Sequence, residues 1–156
     1  MDRFIDPKDP RYSERARRLV QIGRQAIAKA DDKALDAYFS EDYVLHGPSG
    51  DIELPGLKAF FENMRAAFSD FACERLEVVE QGDFIASRTV MTGTFDSALS
   101  DTAVGTIEPN HRPMRRELMN IFRFDANGKL AEEWVQYDDL SFLKQLSADI
   151  RQDDRR

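Results

Sequence analysis

Cysteine, histidine and tryptophan are nearly absent from this 156-residue chain, which has one Cys, two His and one Trp. A single thiol, Cys73, cannot close an intrachain disulfide, so no oxidised framework is expected. Two histidines and one cysteine offer no zinc-type ligand spacing, and no metal is expected. Long apolar runs are missing too, and the N-terminal MDRFIDPKDP lacks the apolar core that a signal peptide needs. A cytoplasmic location is the resulting expectation. Clustered positive charge is also lacking. With 22 Lys and Arg against 29 Asp and Glu, the formal net charge is −7, which argues against nucleic acid and against an anionic membrane surface as partners.

What is present is a globular composition. The chain is 42% hydrophobic and 10% aromatic, enough for one domain with a single core and a small-molecule pocket. Eleven phenylalanines predict a core or cavity wall built from plain aromatic rings.

Residues 1–12 carry two prolines and balanced charge and read as an extended arm. From Ser13, a suitable N-cap, Leu19, Ile22, Ala26 and Ala30 recur at helical spacing. Asp31-Asp32 interrupts, and KALDAYF restarts a short helix. DYVLHGPSGDIELPG reads as a strand-like entry followed by a Gly/Pro loop. A third helix starts near Pro55 and carries the apolar stripe Leu57, Phe60, Phe61, Met64 and Phe68. After Ser69 the apolar period changes from 3.6 to 2. CERLEVVEQ, FIASRTVMTGTF, MRRELMNIFRF and KLAEEWVQYDD read as four strands, with turns at Gln81-Gly82-Asp83 and Asp125-Ala126-Asn127-Gly128. LSFLKQL closes the domain as a short amphipathic helix. One domain over 13–148 and a charged, frayed tail over 149–156 follow from this pattern.

Helices first and antiparallel strands after predict an α+β fold with the helices on one face of a curved sheet. Gly93, in mid-strand, is the expected bend or bulge. A strongly bent sheet closed by helices leaves a cone whose interior can hold a ligand. The segment 96–112, long for a hairpin connection, reads as a flap over the cone mouth.

The succession DYVLHGP, AAFSDF, EQGDFIASRTVMTGTF, NIFRFDANGKLAEEW and YDDLSFLKQL, from about Ala16 to Ser147, resembles the SnoaL-like polyketide cyclases. These belong to the nuclear transport factor 2-like superfamily, with ketosteroid isomerase and scytalone dehydratase. The resemblance implies a cone-shaped, cystatin-like α+β roll whose mixed sheet wraps the N-terminal helices. It implies a pocket between sheet and helices, a homodimer through the outer sheet face, and no metal or organic cofactor. In such cyclases an aspartate on the last strand serves as general acid/base in an intramolecular aldol closure, assisted by a histidine on the preceding strand. With NIFRF and NGK in register, these positions fall on Val135 and Asn120. A family glutamine becomes Leu118, and an asparagine of the first strand becomes Leu45.

Val135 has no titratable group, so its neighbours become the candidates. Glu133 and Tyr137 share its strand face, and a carboxyl in an apolar pocket becomes a usable acid or base near neutrality. Asn120 can donate to an enolate oxygen. His46, before a Gly-Pro turn, is either a proton-transfer group or a backbone-bonded turn residue. Asp138 either lines the pocket mouth or, with Asp139, caps the last helix. Tyr43, Phe60, Phe61, Met64 and Phe122, with Leu118, Val135 and Tyr137, are the expected substrate-contacting wall. His111 is expected on the surface, Trp134 on the face opposite Val135, and Arg88 and Arg123 in ion pairs with Glu117 or Glu132. Two functions fit these residues. One is a cofactor-independent cyclase, isomerase or dehydratase acting on an apolar, polyketide-like carbonyl compound. The other is a non-catalytic apolar-ligand-binding or dimerisation domain.

Overall fold

The computed structural model describes residues 3–150, so most of the expected tail, 151–156, lies outside the described residues. Side-chain caps delimit the early helices. Ser13 Oγ accepts the Ala16 N–H at 3.0 Å to start α1 (Glu14–Gln21), and Asp31 accepts the Ala34 N–H at 3.1 Å to start α2 (Asp32–Tyr38). Between them Ile22–Ile27 widens into a π-helical segment. There Gly23 sits against the sheet, where a Cβ would come within 3.1 Å of the Cys73 carbonyl oxygen. Pro55 stands in the first turn of α3 (Leu54–Ala67), which buries Leu57, Phe61, Met64 and Ala67, one stripe at helical spacing.

The strands are β1 (Phe39–Gly47), β2 (Gly50–Glu53), β3 (Phe68–Gln81), β4 (Phe84–Phe95), β5 (Leu99–Thr102), β6 (Gly105–Ile107), β7 (Pro113–Phe124) and β8 (Leu130–Tyr137). A curved, open six-stranded sheet runs in the order β2-β1-β8-β7-β4-β3. Only β1 and β8 are parallel; the other neighbours are antiparallel. The Gly/Pro loop expected after His46 is instead a tight return: Gly50, at φ +116°, allows it, and β2 pairs with β1.

The expected irregularity at Gly93 exists, but the extra residue belongs to its partner strand. Ser69 pairs with Thr94 and Ala72 with Thr92, so Asp70 and Phe71 together oppose Gly93. A Cβ on Gly93 would lie 2.8 Å from Phe68 Cβ and 3.0 Å from the Ser69 carbonyl oxygen. The missing side chain lets the bulged strand come close over it, and such a bulge bends the strand and increases its twist.

Alternation then sorts the long strands. On β7, Met114, Arg116, Leu118, Asn120 and Phe122 point inward and are buried, while Arg115, Glu117, Met119, Ile121 and Arg123 point outward. Outside, Val79, Ala86, Ile121 and Trp134 are adjacent across four strands. Ion pairs flank this row, Arg88 with Glu117 at 3.5 Å and Arg123 with Glu132 at 3.0 Å. The 96–112 segment holds the small β5–β6 ribbon. It is tied down by Asn63, which donates to the Ser100 carbonyl, and by Asn110, which donates to the Gln145 carbonyl. Helix α4 (Asp139–Gln145) closes the same end.

Candidate functional site

The bent sheet and the helices enclose a cavity of about 100 Å³. Its wall is largely aliphatic and aromatic, including Leu19, Ile22, Leu57, Phe60, Phe61, Leu118, Phe122 and Val135. Into this wall are set Arg75, Thr89, Arg116, Asn120, Glu133 and Tyr137. An apolar enclosure with a few convergent polar groups is the usual build of a small-molecule site. A wider cleft of about 590 Å³ lies beyond it, under the β5–β6 ribbon and α4, and shares Ile52, Phe60, Arg116 and Tyr137 with the inner cavity. These four residues therefore form the junction between an inner chamber and an outer vestibule.

Glu133 is 7% exposed and is held by two neutral donors. The Tyr43 hydroxyl donates to Oε1 and the Asn120 amide to Oε2, both at 2.8 Å. Asn120 pairs directly with Val135 and reaches Glu133 diagonally across the β7–β8 ladder. The network continues inward: Arg75 Nη1 donates to Thr89 Oγ1 at 2.5 Å, and Thr89 donates to Asn120 Oδ1 at 2.7 Å. A guanidinium can only donate, so the Thr89 oxygen accepts from it and its proton points on to Asn120. That fixes the Asn120 NH₂ toward Glu133. Burial pushes the Glu133 carboxyl above the ordinary carboxylate range; the Tyr43 bond, the Arg75 charge and the Asn120 bond oppose this more weakly. Burial and the Glu133 carboxylate push the Tyr43 phenol up as well, so it stays a donor.

The other acids of EEWVQYDD do different work. Glu132, facing outward, accepts from Arg123 and meets His46 Nε2 at 2.7 Å. Asp138 caps α4, accepting the Ser141 N–H at 2.9 Å, and Asp139 accepts from Arg116 at 3.1 Å. His46 is not brought to the cavity. Its Nδ1 lies 2.8 Å from Asp51, its ring centroid 5.4 Å from Trp134, and Glu132 and Asp51 raise its pKa. Tyr43 stands behind Glu133 as its hydrogen-bond donor rather than on the cavity wall, and Met64 lines the vestibule. Phe60, Phe61, Leu118, Phe122, Val135 and Tyr137 all line the inner cavity. His111 is exposed beside Asp96, and Trp134 lies on the outer face at 37% exposed.

Three polar residues of the cavity wall are not among the candidates read from the sequence: Arg75, Thr89 and Arg116. The signal available was alternation. Met114-Arg116-Leu118 and Cys73-Arg75 put an arginine among apolar residues at period 2, which marks an inward-facing charge.

The SnoaL-like polyketide cyclase model matches residues 17–146. The chain belongs to this family. No curated protein sequence matches it. Among solved structures, TsrD from Streptomyces laurentii superposes with a TM-score of 0.73 at 20% identity, covering 88% of this chain and 98% of that one. IdmH from Streptomyces antibioticus, a candidate polyketide cyclase, gives 0.71 at 22% identity over 87% and 100% of the two chains. AclR from Streptomyces galilaeus, a candidate hydroxylase, gives 0.70 at 21% over 86% and 96%. At these identities the likeness is one of fold, the nuclear transport factor 2-like fold of the family. Within that fold the described residues include no helix long and apolar enough to cross a membrane. The inward face of β8 here presents Glu133, Val135 and Tyr137, so the titratable group stands two residues before the valine.

Proposed function

We propose that this SnoaL-like chain binds an apolar, polyketide-like carbonyl compound and acts on it by cofactor-independent general acid–base chemistry, as a cyclase, isomerase or dehydratase. The observation that carries the reading is the Glu133 carboxyl, buried on the cavity wall and, among the described residues, bonded to Tyr43 and Asn120 rather than ion-paired. A carboxyl with a raised pKa is a competent acid when protonated and a stronger base than an exposed one when ionised. In this reading Glu133 moves a proton at the carbon next to the substrate carbonyl, Asn120 holds the carboxyl in one orientation, and Tyr137 offers a hydroxyl to the developing enolate oxygen. Val135 and Leu118 keep water from the reacting face.

The test is deuterium exchange at the α-carbon of 2-tetralone, an apolar bicyclic ketone, followed by proton NMR. The native chain is expected to accelerate exchange over buffer, and Glu133→Gln to lose the acceleration by roughly a hundredfold or more, in the range general acid–base groups contribute. If exchange is not accelerated, or survives Glu133→Gln, the chemistry assigned to Glu133 is wrong, and the chain is then a non-catalytic apolar-ligand binder. Assembly belongs to the same proposal: the exposed outer row of Val79, Ala86, Ile121 and Trp134, contiguous across four strands, supports a homodimer through the sheet.

A further inference from the structure

The junction between chamber and vestibule contains a cation that the acid–base reading does not use. Arg116 is 6% exposed, and its guanidinium carbon lies 4.0 Å from the ring centroid of Tyr137 and 4.2 Å from that of Phe142. Nη2 donates to Asp139 at 3.1 Å, a carboxylate that is itself half exposed. Nε is fully buried and has no hydrogen-bond partner among the described residues. A buried N–H left unpaired is costly, and a buried cation more so, unless an acceptor arrives. Arg75, deeper in the same cavity, repeats the pattern. It is 4% exposed, bonded through Nη1 to Thr89, with its own Nε unpaired among the described residues.

The charged residues on the inner wall are thus two arginines and one carboxyl, inside a chain whose net charge is −7. Burial lifts that carboxyl toward its neutral form; burial also lowers the Arg116 pKa, but a guanidinium starts so high that it stays charged. Among the described residues Arg75 has no ion-pair partner and Arg116 has the half-exposed Asp139, so the chamber discriminates against cationic ligands. It favours a ligand that brings an anionic oxygen.

We propose that Arg116 is a specificity-determining residue for an anionic oxygen, a carboxylate or acidic enol, on an otherwise apolar ligand that spans the junction. The two aromatic rings fix the guanidinium plane at the junction, and of its five N–H donors one, on Nη2, is held by Asp139. The proposal rests on the inner cavity being the ligand site, and not on proton transfer by Glu133.

The probes are 2-naphthoate and its methyl ester, which share a ring system and differ in the anionic oxygen; binding is read by calorimetry. The native chain is expected to bind the acid at least tenfold more tightly than the ester. Arg116→Met should bring the ratio close to one, and Arg116→Lys, which keeps the charge but loses Nε and the planar fork, should fall between. Circular dichroism confirms that each variant is folded, and the native acid-to-ester ratio tests the proposal even if a variant does not fold. Glu133→Gln should retain the acid preference even where it abolishes exchange, which separates this proposal from the catalytic one. Equal native affinities, an undiminished ratio in folded Arg116→Met, or no saturable binding of 2-naphthoate at millimolar concentration would overturn it.

Discussion

Replacing Glu133 by glutamine tests the electrostatics of the site without any substrate. In the unfolded chain this carboxyl titrates near its ordinary value of 4.5, and in the fold burial raises it. A raised carboxyl favours the fold in its protonated form. Its contribution is therefore fully present below about pH 4.5 and is lost as pH rises through the folded value, at up to about 1.4 kcal/mol per pH unit. Glutamine carries no such dependence but disturbs the hydrogen-bond chain. Its NH₂ faces either the Tyr43 hydroxyl, which then loses the acceptor for its proton, or the Asn120 NH₂, in which case Asn120 flips; both donors now lie 2.8 Å from a carboxyl oxygen. The flip makes Thr89 accept from both Arg75 and Asn120, and its hydroxyl proton then has only Ser87 Oγ, at 3.5 Å, to bond. The loss is one hydrogen bond, about 1 kcal/mol. Urea denaturation followed by circular dichroism should find Glu133→Gln less stable than the native chain by about that amount near pH 4. The difference should shrink and then change sign as pH rises, because only the native chain must bury a charge. Taking the difference cancels the titration of distant groups. A gap that stays constant from pH 4 to pH 9 would refute the argument. Glu133 would then ionise as an ordinary carboxylate, balanced by Arg75, and could not serve as a neutral acid.

Asp138→Ala removes the cap of α4 and should cost about 1 kcal/mol, read as a lower denaturation midpoint, with 2-tetralone exchange changed less than twofold; a loss of exchange like that of Glu133→Gln would return Asp138 to the chemistry. Ile121→Asp puts a charge in the centre of the outer apolar row and should convert a native dimer to a folded monomer in sedimentation velocity. A native chain that sediments as a monomer, or a variant that stays dimeric, removes the assembly proposal.

Much of the architecture is legible because it rests on local periodicity. The switch from helical spacing to alternation near Ser69 coincides with the end of α3 and the start of β3. Ser13 is the cap of α1, and Arg88 and Arg123 pair with Glu117 and Glu132. The pairing of β2 with β1 was not legible, because a four-residue edge strand whose side chains are all exposed carries no apolar signal. Nor was the site of the bulge. A glycine marks where two backbones approach, but the strand that takes the extra residue depends on cross-strand register, a property of the pair.

The candidate site shows the same division within adjacent residues. Glu132 and Glu133 are chemically identical, and nothing local tells them apart. Alternation sends Glu132 outward, where hydrogen bonds from His46 and Arg123 lower its pKa, and Glu133 inward, where burial raises it. A shift of one residue in the β7–β8 register would exchange their fates, placing Trp134 in the cavity and Val135 on the outer row. The hairpin turn at Asp125–Gly128 guards against that slip. Asp125 Oδ1 accepts the N–H groups of Asn127 and Lys129, and Gly128 takes the positive φ of 75° that closes the loop. Between that turn and the two acids the ladder also shifts, Phe124 pairing with Leu130 and Arg123 with Glu132, so Ala131 is an extra residue. The acidity of one buried carboxyl therefore depends on the turn and this bulge together, which hold the strands in the register that buries it.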